Sequence, residues 1–273
     1  MDTQNTQKAI TAYVLTRNEA RQIRETLESI EWADEIIVVD SFSDDGTVEI
    51  AQEYGARVIS SKFCGFGALR NLAVDAASHD WILSIDADER CTPELAVEIR
   101  RELGAPRFDA YHVPRWSHFL GRLMRHSGWY PDYRQPQLFN RNRMRYREDL
   151  VHEGFELKGR LGYLKQHVIQ YPWPSLEVAT GKLQRYSTLV SQRYDRKDRK
   201  ASLTKMILRP MAMFCKVYLL KQGFRDGLHG FILACLYAQY TFLKYAKLWE
   251  LRQTSPVHLA QTQPEPVKRP VAV

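Results

Sequence analysis

The chain has 273 residues, of which 44% are hydrophobic and 26% charged, and carries a net charge of +7. This composition excludes wholesale disorder, a collagen repeat and a disulfide miniprotein, and the length suffices for a sizeable core. The four cysteines, Cys64, Cys91, Cys215 and Cys235, form no CxxC pair, which argues against a zinc knuckle or disulfide framework and for a reduced compartment.

The first ninety residues alternate between two patterns. Ala9–Leu15 reads as a strand closed by the polar cluster Thr16–Glu19, and a helical pattern follows over Ala20–Ile30. Glu35–Asp40 (EIIVVD) is a β-branched strand, with a turn at Ser41–Gly46 and a helix over Thr47–Tyr54. Ala56–Ser60 is a third strand, Gly67–Ala77 a helix, and Trp81–Ile85 a fourth strand running into Asp86. Such alternation predicts right-handed crossovers and a mostly parallel α/β sheet, with ligands at the carboxyl ends of its strands. Pro93–Leu103 reads as a helix with proline in its first turn. Phe108–Trp116 then reads as a strand, His118–Arg134 as an irregular excursion, and Gln137–Asn140 and Gly162–Tyr171 as further strands. From Leu176 to Leu251 the pattern is helical and basic. The Pro-rich, polar tail, residues 253–273, predicts disorder.

Acids gather at the strand ends. Asp86-Ala87-Asp88-Glu89 directly follows an apolar strand, and carboxylates there are costly unless something positive binds them. A hard divalent cation arriving with phosphate fits; so does a helix N-terminus whose dipole favours acids. In Asp40–Thr47, Asp44, Asp45 and Gly46 suit a capping turn. Asp40 ends its strand, where it can accept hydrogen bonds from a base or ribose and would lie beside Asp86 if the two strands are neighbours. Arg17 and Arg70 suit phosphate, although each alone also suits an ordinary surface position.

Ala12–Glu19, VVDSFSDDGT, GFGALRN and LSIDADE, in this order and spacing, resemble the family 2 inverting glycosyltransferases of GT-A fold. The resemblance implies that Leu15, Thr16, Arg17, Asn18, Glu19, Asp40 and Ser41 hold the nucleoside of a UDP-sugar donor. Arg70 would lie near the diphosphate, with Asp86 and Ala87 completing the donor site. Asp86 and Asp88 would be the family's DxD motif, Asp88 the more direct ligand of Mg²⁺ or Mn²⁺.

Inversion of this kind needs a single carboxylate to deprotonate the acceptor hydroxyl while a cation neutralises the departing diphosphate. The resemblance points to Glu153 in Val-His-Glu as that base, with Asp149 second and His152 as a metal or phosphate contact. Alternatively, Glu148 and Asp149 are turn residues and His152 a packed histidine. In the excursion, Trp116, Arg122, Arg125, Trp129, Tyr130 and Arg134 suit a sugar-phosphate acceptor, since aromatic faces pack on sugar rings and arginines pair with phosphate. A loop packed by its own aromatics is the competing reading. QxxRW is absent, so addition of a single sugar is expected.

The basic charge is local. Twelve Lys/Arg and two Asp/Glu fall between Lys182 and Arg225, leaving the remainder net acidic; no nucleic-acid partner is expected. The N-terminus lacks the pattern of a signal peptide, and no run is long and apolar enough for a clean transmembrane helix. Lys205–Leu251 interleaves apolar stretches with Lys and Arg, as in helices lying on an anionic membrane; a helical subdomain or dimer interface fits the same pattern. Leu236–Leu251, with Lys200-Ala201-Ser202-Leu203 before it, resembles bacterial lipopolysaccharide core β-1,4-glucosyltransferases. The narrower resemblance implies glucose transfer from UDP-glucose to inner-core heptose, on a lipid A-core acceptor at the cytoplasmic face of the inner membrane. The expected division is a GT-A domain over 1–175, a basic amphipathic helical extension over 176–252 and a tail over 253–273. Transfer to polyprenyl phosphate or another glycolipid, and a non-catalytic nucleotide-sugar-binding module, are the alternatives. Oligomeric state is left open.

Overall fold

The computed structural model describes residues 8–148 and 154–253. The expected disorder of the tail beyond Gln253 lies outside these residues. The chain divides into two compact units, Met1–Leu176 and Glu177–Val273.

The first unit is built on a sheet whose early strands are β1 (Ile10–Thr16), β2 (Glu35–Asp40), β3 (Arg57–Ser60) and β4 (Trp81–Asp86). Helices α1 (Ile23–Glu28), α2 (Thr47–Glu53) and α3 (Phe66–Ala76) connect them. Short strands β6 (Ala110–His112), β9 (Leu138–Asn140) and β12 (Leu161–Tyr163) extend it, giving the order β12-β6-β9-β4-β1-β2-β3. All neighbours are parallel except β9, which runs antiparallel to both β4 and β6. The carboxyl ends of β1, β2 and β4 therefore share one edge.

Side-chain alternation sorts the core into two layers. Ala12, Val14, Val38 and Ile85 pack with Ile23 and Leu27 of α1 and Ala51 of α2. Tyr13, Ile37, Val39 and Ile82 face Leu69 and Ala73 of α3.

A second sheet, in the order β5-β13-β7-β8, takes β5 (Glu89–Cys91), β7 (Arg115–Phe119), β8 (Arg122–Leu123) and β13 (Val168–Trp173). Helix α4 (Pro93–Gly104) follows β5 and is capped by Thr92, whose hydroxyl accepts from the Leu95 amide. The expected strand Phe108–Trp116 is two strands in two sheets. Pro114 lies between them, and without an N–H it cannot continue a ladder. The expected strand Gly162–Tyr171 divides likewise: between β12 and β13 the amides of Lys165 and Gln166 turn to the Glu98 carboxylate of α4. The excursion is more regular than expected at its start, where β7 and β8 form a hairpin turning through Leu120 and Gly121, both at positive φ. Strands β10 (Met144–Tyr146) and β11 (Phe155–Leu157) pair antiparallel.

The second unit is helical. Helix α5 (Leu176–Arg196) runs back against α7 (Gly227–Gln253), where Lys247 Nζ lies within hydrogen-bond distance of the Gln184 carbonyl and side-chain oxygens and of the Ser187 and Thr188 hydroxyls, sharing its three N–H groups among them. Helix α6 (Leu203–Cys215), capped by Ser202, continues through a π-helical turn, Lys216–Leu220, and a 3₁₀ turn, Gly223–Asp226. A Cβ on Gly230 would lie 1.9 Å from the Gly223 carbonyl oxygen, so glycine permits this close approach of α7.

Candidate active site

The loops after β1 and β2 are stitched to each other at the sheet edge. The Asn18 amide donates to Ser43 Oγ (2.8 Å), the Asp44 amide to Asn18 Oδ1 (3.0 Å), the Glu19 amide to Thr47 Oγ1 (2.9 Å) and the Ala20 amide to Asp45 Oδ2 (3.0 Å). Asp45, rather than Asp44, holds the start of α2, accepting from the Thr47 amide and hydroxyl. Arg17 and Asn18 are exposed, Leu15 and Glu19 half-buried, and Thr16 and Ser41 buried. The Thr16 hydroxyl has no hydrogen-bond partner among the described residues.

Asp40 is buried, and its carboxylate accepts from the amide and hydroxyl of Ser43. Strands β2 and β4 are not neighbours, because β1 runs between them. Thr16 pairs with Asp40 and Leu15 with Asp86, so the two aspartates leave opposite faces of the sheet. They share an edge, about 10 Å apart at two strand spacings.

Asp86 meets α3. Arg70 Nη2 lies 2.9 Å from Asp86 Oδ1, while Nη1 donates to Ser84 Oγ at 2.7 Å. The guanidinium is buried and sits over the Tyr146 ring, 5.5 Å from its centroid. Burial pushes the Asp86 carboxyl up, but Arg70 first and then Arg115 outweigh it and hold the group below the usual range.

The chain turns at Ala87-Asp88, and β5 carries Glu89 inward. The Ala87 carbonyl accepts from Thr26 Oγ1 at 2.7 Å, pinning the turn to α1. Glu89 is fully buried: Oε1 accepts from Arg115 Nε (2.6 Å), and Oε2 from the Asp86 amide (3.0 Å) and Gln137 Nε2 (2.8 Å). Burial pushes its carboxyl up to about 7 against the pull of Arg115, with Asp86 and Asp88 adding to the rise. Asp88 is half-buried, with Oδ1 3.3 Å from Gln170 Nε2.

Among the described residues no group of three or more His, Cys, Asp or Glu is gathered as a protein-only metal cage would need. The donors fit a cation of another kind, one held by one or two carboxylates that takes its remaining oxygens from substrate phosphates and water.

Residues 146–148, which precede the candidate bases, are anchored by the same helix. Asn71 Nδ2 donates to the Tyr146 carbonyl (2.9 Å) and Glu148 Oε1 (3.0 Å), and Asn71 Oδ1 accepts from the Tyr146 amide. The Arg147 amide donates to the Gly154 carbonyl at 2.9 Å, so the chain leaves and returns at one point. Asp149, His152 and Glu153 lie outside the described residues.

The excursion residues differ in exposure. Trp129 is buried edge-to-face against Phe119 and Trp173. Trp116 and Tyr130 are partly exposed and both stack on His167, at 4.1 and 5.9 Å. Arg122 and Arg125 are exposed, and Arg134 pairs with Asp132 at 2.7 Å. The loop connects to the aspartate turn through Arg115, whose Nη1 donates to the Asp132 carbonyl. The sequence pattern singles out neither Arg115 nor Gln137 nor Gln170, and it offers Glu89 and Asn71 only as members of the acidic run and of the GFGALRN motif. Glu89, Arg115 and Gln170 are polar groups at buried strand positions, Gln137 directly precedes β9, and Asn71 follows Arg70 on α3.

The model of Glycosyl transferase family 2 matches residues 11–166, more than half of the chain. The chain belongs to that family. Among its relatives is the lipopolysaccharide core biosynthesis glycosyltransferase LpsC of Rhizobium meliloti, 29% identical over 88% of this chain and 92% of that protein. An uncharacterized glycosyltransferase of Rickettsia bellii is 28% identical over 93% and 91%. The fold is also that of S. aureus TarS residues 1–349, with a TM-score of 0.50 at 16% identity, covering 90% of this chain and 92% of that one. This family 2 transferase therefore carries the GT-A-like sheet, with helices following it.

Proposed function

We propose that the protein is a metal-dependent, inverting hexosyltransferase that moves glucose from UDP-glucose onto a heptose of the lipopolysaccharide inner core. One observation carries this reading. Consecutive residues of α3 hold the two halves of the site: Arg70 reaches Asp86 and Asn71 reaches Tyr146 and Glu148, so the aspartate turn and the chain leading to Glu153 share one mount. Membership of the family supports sugar transfer, and the relative named for lipopolysaccharide core synthesis supports the acceptor class.

Leu15–Glu19, Asp40, Ser41 and Ala87 would line the donor. Asp88 and Asp86, with His152, would hold Mg²⁺ or Mn²⁺, which when bound supplies charge neutralisation for the leaving diphosphate. Glu153 would take the proton of the acceptor hydroxyl, with Asp149 the second candidate. Trp116, Tyr130, Arg122, Arg125 and Arg134 would meet the acceptor. Trp129 would act beneath them as packing. The enzyme would work as a peripheral protein at the cytoplasmic face of the inner membrane; no helix among the described residues is long and apolar enough to cross a membrane.

The test is a screen of nucleotide sugars with and without divalent cation, using truncated core glycolipids as acceptors. UDP-glucose turnover that needs cation, with an inverted anomeric product, is the expected result. Glu153→Gln is expected to bind donor and lose transfer; near-normal turnover removes Glu153 from the role. Transfer to polyprenyl phosphate alone replaces the acceptor, and no turnover with any donor favours a binding module.

A further inference from the structure

The second unit leaves an apolar helical face uncovered. None of the residues of α6 is buried. Leu208, Met211 and Cys215 recur at steps of three and four along its outer side, and Leu203 and Ile207 adjoin them. The face continues past the helix: Leu219 and Leu220 on the π-helical turn, Phe224 on the 3₁₀ turn and Leu228 at the start of α7 are also exposed. Exposure reaches 73% at Leu203, 60% at Met211, 78% at Leu220 and 68% at Leu228. Single exposed apolar side chains are ordinary; a run of this length marks an interaction surface.

The opposite side of α6 is already occupied. Phe214 and Tyr218 pack on Phe231 of α7, and Val217 is buried. Pro210 withholds the N–H that would close on Met206, so the helix keeps its place through these contacts rather than through a complete ladder.

Charge identifies the occupant. Lys205, Arg209 and Lys216, spaced by four and seven residues, form a basic series along α6 and into the turn after it, with the Arg209 guanidinium 5.6 Å over the Tyr245 ring of α7, and Lys221 and Arg225 continue the basic stripe through the turns. From Leu203 to Arg225 there are five Lys/Arg and no Asp or Glu. A second copy of the chain would bring the same cations to the contact and find no acids on this stretch to pair with them. A layer of hydrocarbon topped by anions meets both features.

We infer that α6 and the two turns after it are a membrane-docking face, which lies in the interface of an anionic bilayer with Leu203, Ile207, Leu208, Met211, Leu219 and Leu220 among the acyl chains and the basic stripe at the phosphates. The inference deepens the reading that the acceptor is a membrane glycolipid, and its test uses neither donor nor acceptor, so each can fail alone.

The experiment is co-sedimentation of the full chain with phosphatidylcholine vesicles with and without phosphatidylglycerol. Binding that requires phosphatidylglycerol and weakens with salt is expected. Ile207→Gln, Leu208→Gln and Met211→Gln together should lower it at least about tenfold, and Lys205→Glu with Lys216→Glu by a similar factor. Circular dichroism of each variant should match the parent, and Val97→Gln, at an exposed site in the first unit, should bind as the parent does. No binding by the folded parent, or undiminished binding by the folded triple variant, overturns the proposal. So does a dimer in sedimentation velocity that the triple variant abolishes without any vesicle binding, which assigns the face to a second copy.

Discussion

Arg70 and Asp86 face each other across 2.9 Å, and the same guanidinium holds Ser84 on the residue pair before the strand ends. One planar fork thereby fixes the carboxyl end of β4 from α3. An ammonium is a point charge and cannot span both acceptors. Arg70→Lys should therefore keep the fold but lose about 1.5–3 kcal/mol, the range for a buried hydrogen bond to a charged group. Urea unfolding measures it, and an unchanged midpoint would show that the fork carries nothing.

Glu89 and Arg115 form a buried ion pair at 2.6 Å, with 0% and 5% of their side chains exposed. Removing one charge strands the other away from water. Glu89→Gln should cost about 3–5 kcal/mol, and the double variant Glu89→Gln, Arg115→Met should be less damaged than the single one. The pair also ties the Asp86 amide to the Asp132 carbonyl, so a loss of transfer larger than the loss of folded protein is expected in Glu89→Gln. If the double variant is the weaker of the two in chemical denaturation, the pair does not act as a unit.

Glu102 gives the acid limb of stability. Arg107 binds its carboxylate at 2.8 and 2.9 Å and the Tyr111 hydroxyl donates at 3.0 Å; the Arg107 bonds above all hold the group below its ordinary 4.5, against burial. The folded chain thus releases this proton more readily than the unfolded one. Its contribution is complete above 4.5 and is lost as pH falls through the lower folded value. The gap in melting temperature between parent and Glu102→Gln should be largest at neutral pH and close below 4.5. A gap independent of pH would mean that the charge is not what stabilises.

The strand ends were legible because strand, turn and acid are local in sequence: Asp40 and Asp86 end their strands where the pattern places them. Their separation was not, since strand order decides which ends adjoin, and β1 enters between β2 and β4. Glu89 reads in sequence as one more acid in a polar run. Only pairing with Arg115, twenty-six residues on, turns it into a buried strut. Trp129 shows the converse. An aromatic in a loop reads as a contact for sugar, and its burial comes from Phe119 and Trp173, whose approach no spacing announces. Pro114 was the available sign that Phe108–Trp116 would divide.

Gly67 offers the sharpest check on the shared mount. A Cβ there would lie 2.0 Å from the Arg147 carbonyl oxygen and 2.9 Å from its carbon, both backbone atoms that no rotamer change can remove. Its helical neighbours on α3, Arg70 and Asn71, hold the aspartate turn and residues 146–148. Gly67→Ala must therefore either push the 147–148 backbone away from the helix or shift the helix from Asp86. Overpacking of this kind costs about 1–3 kcal/mol. Gly181, on α5, has nothing within 4 Å of its Cβ position, and Gly181→Ala should gain about 0.5–1 kcal/mol through helix propensity alone. Thermal melts of the two variants separate packing from propensity. Turnover adds the functional readout: in Gly67→Ala, kcat should fall by more than donor affinity, because the displaced backbone leads into the segment that carries Glu153. Equal kcat in the two variants would mean that α3 does not position that segment.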